Sequence, residues 1–220
     1  MRNYSYHWGK LLFVRWLVVS WTLQAIHVLD KRERTFRIIL ELIPLTIIAV
    51  FAFIGLYSWW FYLVCAIIVH TIFWLLDSTW LVGFREVYSK FRGKGLQSVI
   101  NYVDWSIKVL QDCDNISAIA IYGSICRRKY HDRSDFDLRI LQESYSLKTL
   151  FKMIQLRIVA IYKYRIPIDL KLVDSVEFLK KEMRRDEHPI VPYNKYKTFY
   201  NEGDSYEILK ANPKNYLRDK

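Results

Sequence analysis

Apolar residues fall into three long runs before residue 77 and into short, interrupted ones after it. The first, Leu11–Leu29 (LLFVRWLVVSWTLQAIHVL), is long enough to cross a bilayer. Arg15, Gln24 and His27 interrupt it, however, and a charge at membrane depth costs roughly a few kcal/mol. Ser20, Gln24 and His27 share one helical face, so the pattern predicts a helix over 11–29 that lies in the interface or packs on other helices. The other two runs, 38–57 and 59–76, flank a short break at Gly55–Ser58. Between Ile38 and Leu76 the only acidic or basic side chains among Asp, Glu, Lys, Arg and His are Glu41 and His70. A soluble core helix is normally shorter and keeps a polar face, so this pair reads as a transmembrane hairpin with Trp59, Trp60 and Tyr62 as an aromatic belt.

After residue 90 the periods shorten. FRGKG (Phe91–Gly95) reads as a hinge. Leu96, Val99, Ile100, Val103, Ile107 and Leu110 then recur at helical spacing, predicting an amphipathic helix over 96–111. Ile116–Tyr122 suits a buried strand, Gly123-Ser124 turns it, and residues 125–130 suit one or two helical turns. A second strand is expected over Asp135–Leu141, and a helix over 147–164 with Ser146 as its N-cap. Ile168, Leu170 and Leu172 alternate with Asp169 and Lys171 in a third strand, 167–173. Asp174 and Glu177 form a capping pair for a helix to about Arg185. The order α–β–α–β–α–β–α describes a small α/β or α+β domain. The expected organisation is a membrane region over 1–90, this domain over 91–186, and a polar tail or short packing arm over 187–220.

Charge sharpens the first part of this picture. The chain has 220 residues, 8 Trp, 16 Tyr and 12 Phe, yet a net charge of +11; the two properties are segregated along it. Lys31, Arg32, Arg34 and Arg37 precede the hairpin, and Arg85, Lys90, Arg92 and Lys94 follow it. By the positive-inside rule both outer ends are cytoplasmic, giving a multi-pass protein of the cell (inner) membrane. No small-residue cleavage site follows the first run, so no signal peptide is expected. Cys65, Cys113 and Cys126 form neither a CxxC nor a zinc spacing, which fits a reducing compartment.

Candidate chemistry concentrates in IAIYGSICRRKYHDRSDFDLRI, Ile119–Ile140. In a strand, Asp135 and Asp137 point the same way while Phe136, Leu138 and Ile140 enter a core. Two adjacent carboxylates repel unless a cation sits between them. Gly123 permits close backbone approach to a ligand, and Ser124 can offer a hydroxyl and an N–H to phosphate. Three carboxylates, with Asp169, suit a hard oxygen-seeking ion rather than zinc.

A strand ending in Gly123-Ser124, ten intervening residues, Asp135-x-Asp137 on a second strand and Asp169 on a later one together resemble the nucleotidyltransferase superfamily related to DNA polymerase beta, closest to its minimal members. The likeness covers roughly 96–185. It implies a small mixed sheet flanked by helices and transfer of an NMP group from an NTP with release of pyrophosphate. Asp135, Asp137 and Asp169 would be the catalytic residues and the ligands of two divalent ions, Mg²⁺ or Mn²⁺. Gly123 and Ser124 would hold the outer phosphates. Minimal members commonly carry glycine four positions after the Ser, where this chain has Arg128. Arg128 could grip the triphosphate, and Arg139 and Lys171, sharing faces with the aspartates, are candidates for charge balance near it.

The expected partners are an NTP, membrane lipids and an acceptor that the sequence does not identify; a lipid-linked or envelope precursor, or a protein, would meet such a tethered site at high effective concentration. The alternative is a catalytically inactive nucleotide-binding or partner-docking module at the membrane. Nucleic acid is not expected, because the bases concentrate where membrane topology already explains them.

Overall fold

The computed structural model describes residues 14–15, 17–24, 31–76, 80, 95–131, 134–176, 187–195 and 204–218. The chain divides into two compact units, Met1–Gly83 and Phe84–Lys220.

In the first unit, helix α1 (Lys31–Ile54) and helix α2 (Trp59–Leu76) form the hairpin. α1 begins seven residues before the apolar run, so the expected basic collar is the first two turns of the helix. The connection depends on Gly55, whose φ of 74° lies in the left-handed region. Ile47, Val50, Phe51, Ile67 and Ile68 are exposed, and Phe53 is 94% exposed, on stretches (Glu33–Ile54, 22 residues, and Trp59–Leu76, 18 residues) long and apolar enough to cross a membrane. Polar groups are turned inward instead. His70 Nδ1 lies 2.6 Å from Glu41 Oε1, and Gln24 Nε2 donates to the His70 carbonyl at 3.0 Å. Residues 17–23 are helical, and they join the hairpin through Trp21 Nε1–H to Thr71 Oγ1 (3.1 Å) and Trp74 Nε1–H to Ser20 Oγ (3.3 Å). Of the polar face expected over 11–29, Ser20 and Gln24 thus pack on the hairpin; His27 lies outside the described residues.

The second unit is a four-stranded mixed sheet with flanking helices. Helix α3 (Leu96–Leu110) is followed by β1 (Ile116–Tyr122), β2 (Phe136–Gln142), helix α4 (Leu147–Val159), β3 (Ile168–Val173), β4 (Ile190–Asn194) and helix α5 (Tyr206–Ala211). The order across the sheet is β3-β2-β1-β4, with β2 and β3 parallel and the other pairs antiparallel. β1 is buried along its whole length, its apolar run broken only by Ser117, whose hydroxyl donates to the Leu141 carbonyl. Ile119, Ile121, Phe136, Leu138 and Ile140 share one face. That face packs toward the helices, where Tyr102 sets its ring 6.1 Å from Phe136 and donates its hydroxyl hydrogen to the Leu156 carbonyl. The other face carries a small core of Ala118, Ala120, Tyr122, Leu141, Val173 and Val191, which runs along β1 and the far ends of β2 and β3.

Ser146 caps α4, accepting from the Thr149 N–H, as expected. The helix then changes to a π-helical turn, Ala160–Tyr164, ended by Arg165 at φ 57°. The capping pair Asp174/Glu177 and most of the hinge 91–95 reach outside the described residues. The region 187–220, expected as a polar tail or a short packing arm, holds regular elements among its described residues. It supplies β4, α5 and a 3-10 turn (Pro213–Tyr216) that bury Ile190, Val191, Tyr206, Leu209 and Tyr216. Pro192 argues against a central strand, but β4 is an edge strand, where a missing N–H is tolerated. The buried Tyr206 hydroxyl donates to α3, within 3.1 Å of the Ile100 carbonyl and 3.0 Å of Asp104 Oδ1.

Candidate active site

The site forms on the second sheet face, beside that small core. Alternation along β2 and β3 puts Asp137, Arg139, Asp169 and Lys171 on that face, and the parallel register sets Asp137 beside Asp169 and Arg139 beside Lys171. Asp135 is one residue before β2 rather than within it, and is exposed. Ala120 lies opposite Arg139 on β1, a small residue beside the long guanidinium.

Asp137 and Asp169 face each other closely enough to share a hydrogen bond, and the pair titrates unequally. Burial is the largest influence on Asp137, and the charges of Asp135 and Asp169 add to it. Against the opposing pull of Arg139, its pKa rises from 3.8 to about 7. Burial also works to raise Asp169, but the charge and hydrogen bond of Arg139 overcome it, and its carboxyl is held below the usual range. Arg139 thus occupies the gap: its Nη2 donates to Asp169 Oδ2 at 2.7 Å and lies 3.4 Å from Asp137 Oδ1, while Nη1 donates to the Asp169 carbonyl at 2.7 Å. Lys171 contributes charge on the same face and lowers Asp169 further. Among the described residues, no group of three or more His, Cys, Asp or Glu side chains is close enough to hold a metal ion as the side chains lie.

Gly123 has a function the sequence does not reveal. Its φ is 76°, and a methyl group there would run into the Asp137 carboxylate, with Oδ2 closest and Cγ 2.9 Å away. The glycine therefore makes room for the protein's own carboxylate. Ser124 follows with its Oγ buried and without a hydrogen-bond partner, an arrangement that costs roughly 1–3 kcal/mol unless a ligand or water satisfies it. Residues 124–127 make one turn that ends in a Schellman arrangement: Lys129 N–H donates to the Ser124 carbonyl (2.8 Å) and Arg128 N–H to the Ile125 carbonyl (2.9 Å). Arg128 is the left-handed residue of that motif, at φ 54°, the place where glycine is most at ease. The unusual arginine thus keeps a glycine-like backbone. Its side chain donates to Asp204 at 2.8 Å rather than standing free for a ligand.

Ser124, Arg127, Arg128, Lys129, His131, Ser134, Asp135 and Arg218 line a cleft of about 640 Å³, in which Asp135 is the carboxylate. Arg127 is paired with Glu187 at 3.1 Å. The Cys126 thiol donates to the Ile121 carbonyl, and burial pushes its pKa up to about 12, so it has no nucleophilic character at neutral pH. Two features escape sequence reasoning. Arg139 bridges two of the carboxylates, and Arg218, from the region read as a tail, belongs to the cleft. The alternation of β2 and β3 carried a signal for the first; nothing in the sequence carried one for the second.

Residues 106–195 match the family model described as polymerase beta, nucleotidyltransferase. A solved structure of a candidate nucleotidyltransferase from Sulfolobus solfataricus aligns with 49% of this chain and 96% of its own, at 19% sequence identity and a TM-score of 0.32. No curated protein matches the chain.

Proposed function

We propose that the chain is a membrane-anchored, metal-dependent enzyme that transfers an NMP group from an NTP to an acceptor and releases pyrophosphate, a reading supported by the match of residues 106–195 to the polymerase beta nucleotidyltransferase family model. One observation carries the assignment to this site: Asp137 and Asp169 are held in register on parallel strands, partly buried, beside the Gly123-Ser124 turn and a basic cleft.

The donor set suits a divalent ion. Asp137 is a partly buried carboxylate whose charge is disfavoured by burial first and by Asp135 and Asp169 next, against the pull of Arg139, and an added cation would remove that penalty. Asp137 and Asp169, with Asp135 at the mouth, would hold one or two ions of Mg²⁺ or Mn²⁺, which need oxygen ligands of this kind. When bound, such ions neutralise phosphate charge and lower the pKa of an attacking hydroxyl. Arg139 would leave the gap between Asp137 and Asp169 as they take up the cation, freeing its guanidinium for phosphate. Ser124 Oγ–H and the adjacent backbone N–H groups would donate to the outer phosphates, and Gly123 keeps Asp137 at the required distance. Lys171 balances charge on the Asp169 side.

The anchor is the hairpin α1–α2, whose apolar side chains face outward while Glu41 and His70 turn toward each other. With bases on both flanks, the positive-inside rule supports a multi-pass inner-membrane topology with the second unit in the cytoplasm. An acceptor that is lipid-linked, an envelope precursor or a membrane protein would then be at high local concentration. A non-catalytic nucleotide-binding module is the second reading, favoured by Arg139 already neutralising the carboxylates. A screen of the four NTPs with Mg²⁺ or Mn²⁺ in a membrane extract separates the two readings. Pyrophosphate release that disappears in the Asp135→Ala/Asp137→Ala double variant is expected; NTP binding without release from any nucleotide would favour the second.

A further inference from the structure

The basic cleft has two walls, and one of them comes from the far end of the chain. Tyr130 N–H donates to the Tyr216 carbonyl at 3.0 Å, and Arg218 N–H donates to the Tyr130 carbonyl at 2.9 Å, which together lay residues 216–218 along the loop after Ser124. Tyr130 and Tyr216 are both buried at this join, 3% and 1% exposed. Asp204 ties the same segment down: its Oδ2 accepts from Arg128 Nη2 at 2.8 Å and from the Tyr216 hydroxyl at 2.8 Å, and the Arg128 guanidinium also lies 5.6 Å from the Tyr216 ring centroid. These contacts account for Arg128 and Asp204. They leave two cations in the cleft, Lys129 and Arg218, with no acidic partner among the described residues. Like charges gathered at one concave surface raise the local anion concentration and repel one another until an anion arrives. Ser124, with its unsatisfied buried hydroxyl, and Asp135 line the same cleft, so an anion there would lie beside the Asp135 carboxylate and the turn that follows Gly123.

We propose that Arg218 is a phosphate-binding residue of this site, acting with Lys129 on the outer phosphates of the nucleotide, and that the Arg128–Asp204–Tyr216 cluster is the clamp that holds it in place. This rests on the nucleotide-substrate reading above for the identity of the anion, but not for its existence. A phosphate on the acceptor is the other source of the same chemistry, and Ser124 at the carboxylate end favours the nucleotide. Arg128 accordingly serves the site through position, as a strut, while Arg218 supplies the contact.

The test measures binding of inorganic tripolyphosphate, and of each NTP, to the full chain in detergent. Wild type, Arg218→Gln, Arg218→Lys and Asp204→Asn are compared, with Asp137→Asn as the carboxylate control. A lost charge-assisted hydrogen bond should weaken tripolyphosphate binding by about tenfold in Arg218→Gln, with the melting temperature unchanged and partial recovery in Arg218→Lys. NTP KM should rise by a similar factor, with kcat within about twofold. Asp204→Asn should reproduce the weaker binding. If Arg218→Gln binds tripolyphosphate as wild type does while Asp137→Asn abolishes turnover, the proposal fails and the enzyme reading survives. If tripolyphosphate binding depends on Arg218 but no NTP is turned over, the anion site stands and the enzyme reading fails. Wild type that does not bind tripolyphosphate overturns the proposal outright, and an effect seen only with phosphate-bearing lipid vesicles assigns the cleft to the acceptor and overturns it too.

Discussion

Asp137 concentrates the energetics of the site in one carboxyl group. Its pKa in the folded chain is about 7 against 3.8 ordinarily, so folding binds a proton between those values. Stability conferred by a raised carboxyl pKa is lost as pH climbs through that window. Asp169 moves the other way, and its contribution is lost only as pH falls below the ordinary carboxylate range. The ion-free protein should therefore become less stable between about pH 4 and pH 7, and a divalent ion should recover stability above that window by taking the proton's place. Thermal unfolding with and without Mg²⁺ checks this: the shift should be larger at about pH 8 than at about pH 5, and equal shifts would contradict it. Gly123 belongs to the same scale. Gly123→Ala imposes a left-handed backbone cost of about 1–2 kcal/mol and pushes a methyl group into the Asp137 carboxylate. A lowered melting temperature together with loss of NTP turnover is the expected result.

Elements decide which of these residues meet. The alternation of DFDLRI and PIDLKLV was legible in the sequence, and because side chains in a strand repeat every two residues it fixed which positions share the site face. The register that sets Asp137 beside Asp169 needed the parallel pairing of β2 and β3, which no local pattern encodes. β4 was illegible for two reasons: it is five residues long, and it contains Pro192. The turn 124–128 was foreseen, but its left-handed end was not, since arginine gives no sign of a positive φ. That end makes a comparison possible. Arg128→Gly and Arg128→Ala both remove the Asp204 contact, but only alanine keeps the backbone strain. Differential scanning should give the glycine variant the higher melting temperature by roughly 4 °C. Equal values would mean that the Schellman geometry is not kept in solution.

At the level of the whole molecule, composition already separated a greasy first part from a charged second one, and two compact units follow that division. The hairpin was legible because uninterrupted apolar length is the strongest signal a sequence carries. The inward pairing of Glu41 with His70 and of Ser20 with Trp74 was not, since it depends on how three helices meet. The packing of the C-terminal segment was hidden for a similar reason: the Tyr206 hydroxyl bonds to Ile100, 106 positions away, and the Tyr216 carbonyl accepts from Tyr130, and a polar local context gives no sign of either. With its apolar side chains outward, the first unit should keep the full chain in the membrane pellet after an alkaline carbonate wash. Recovery in the supernatant would remove the membrane from the account.

The Asp137–Asp169 pair is where the proposed nucleotidyl transfer stands or falls. The most direct measurement is pyrophosphate release by the full chain in detergent with its membrane extract, Mg²⁺ and each NTP in turn, comparing wild type with Asp137→Asn. Asparagine keeps the shape beside Gly123 and removes only the charge. Release from wild type with at least one nucleotide is expected, and a fall of a hundredfold or more, about 3 kcal/mol, in the variant. Equal release from both proteins would contradict it.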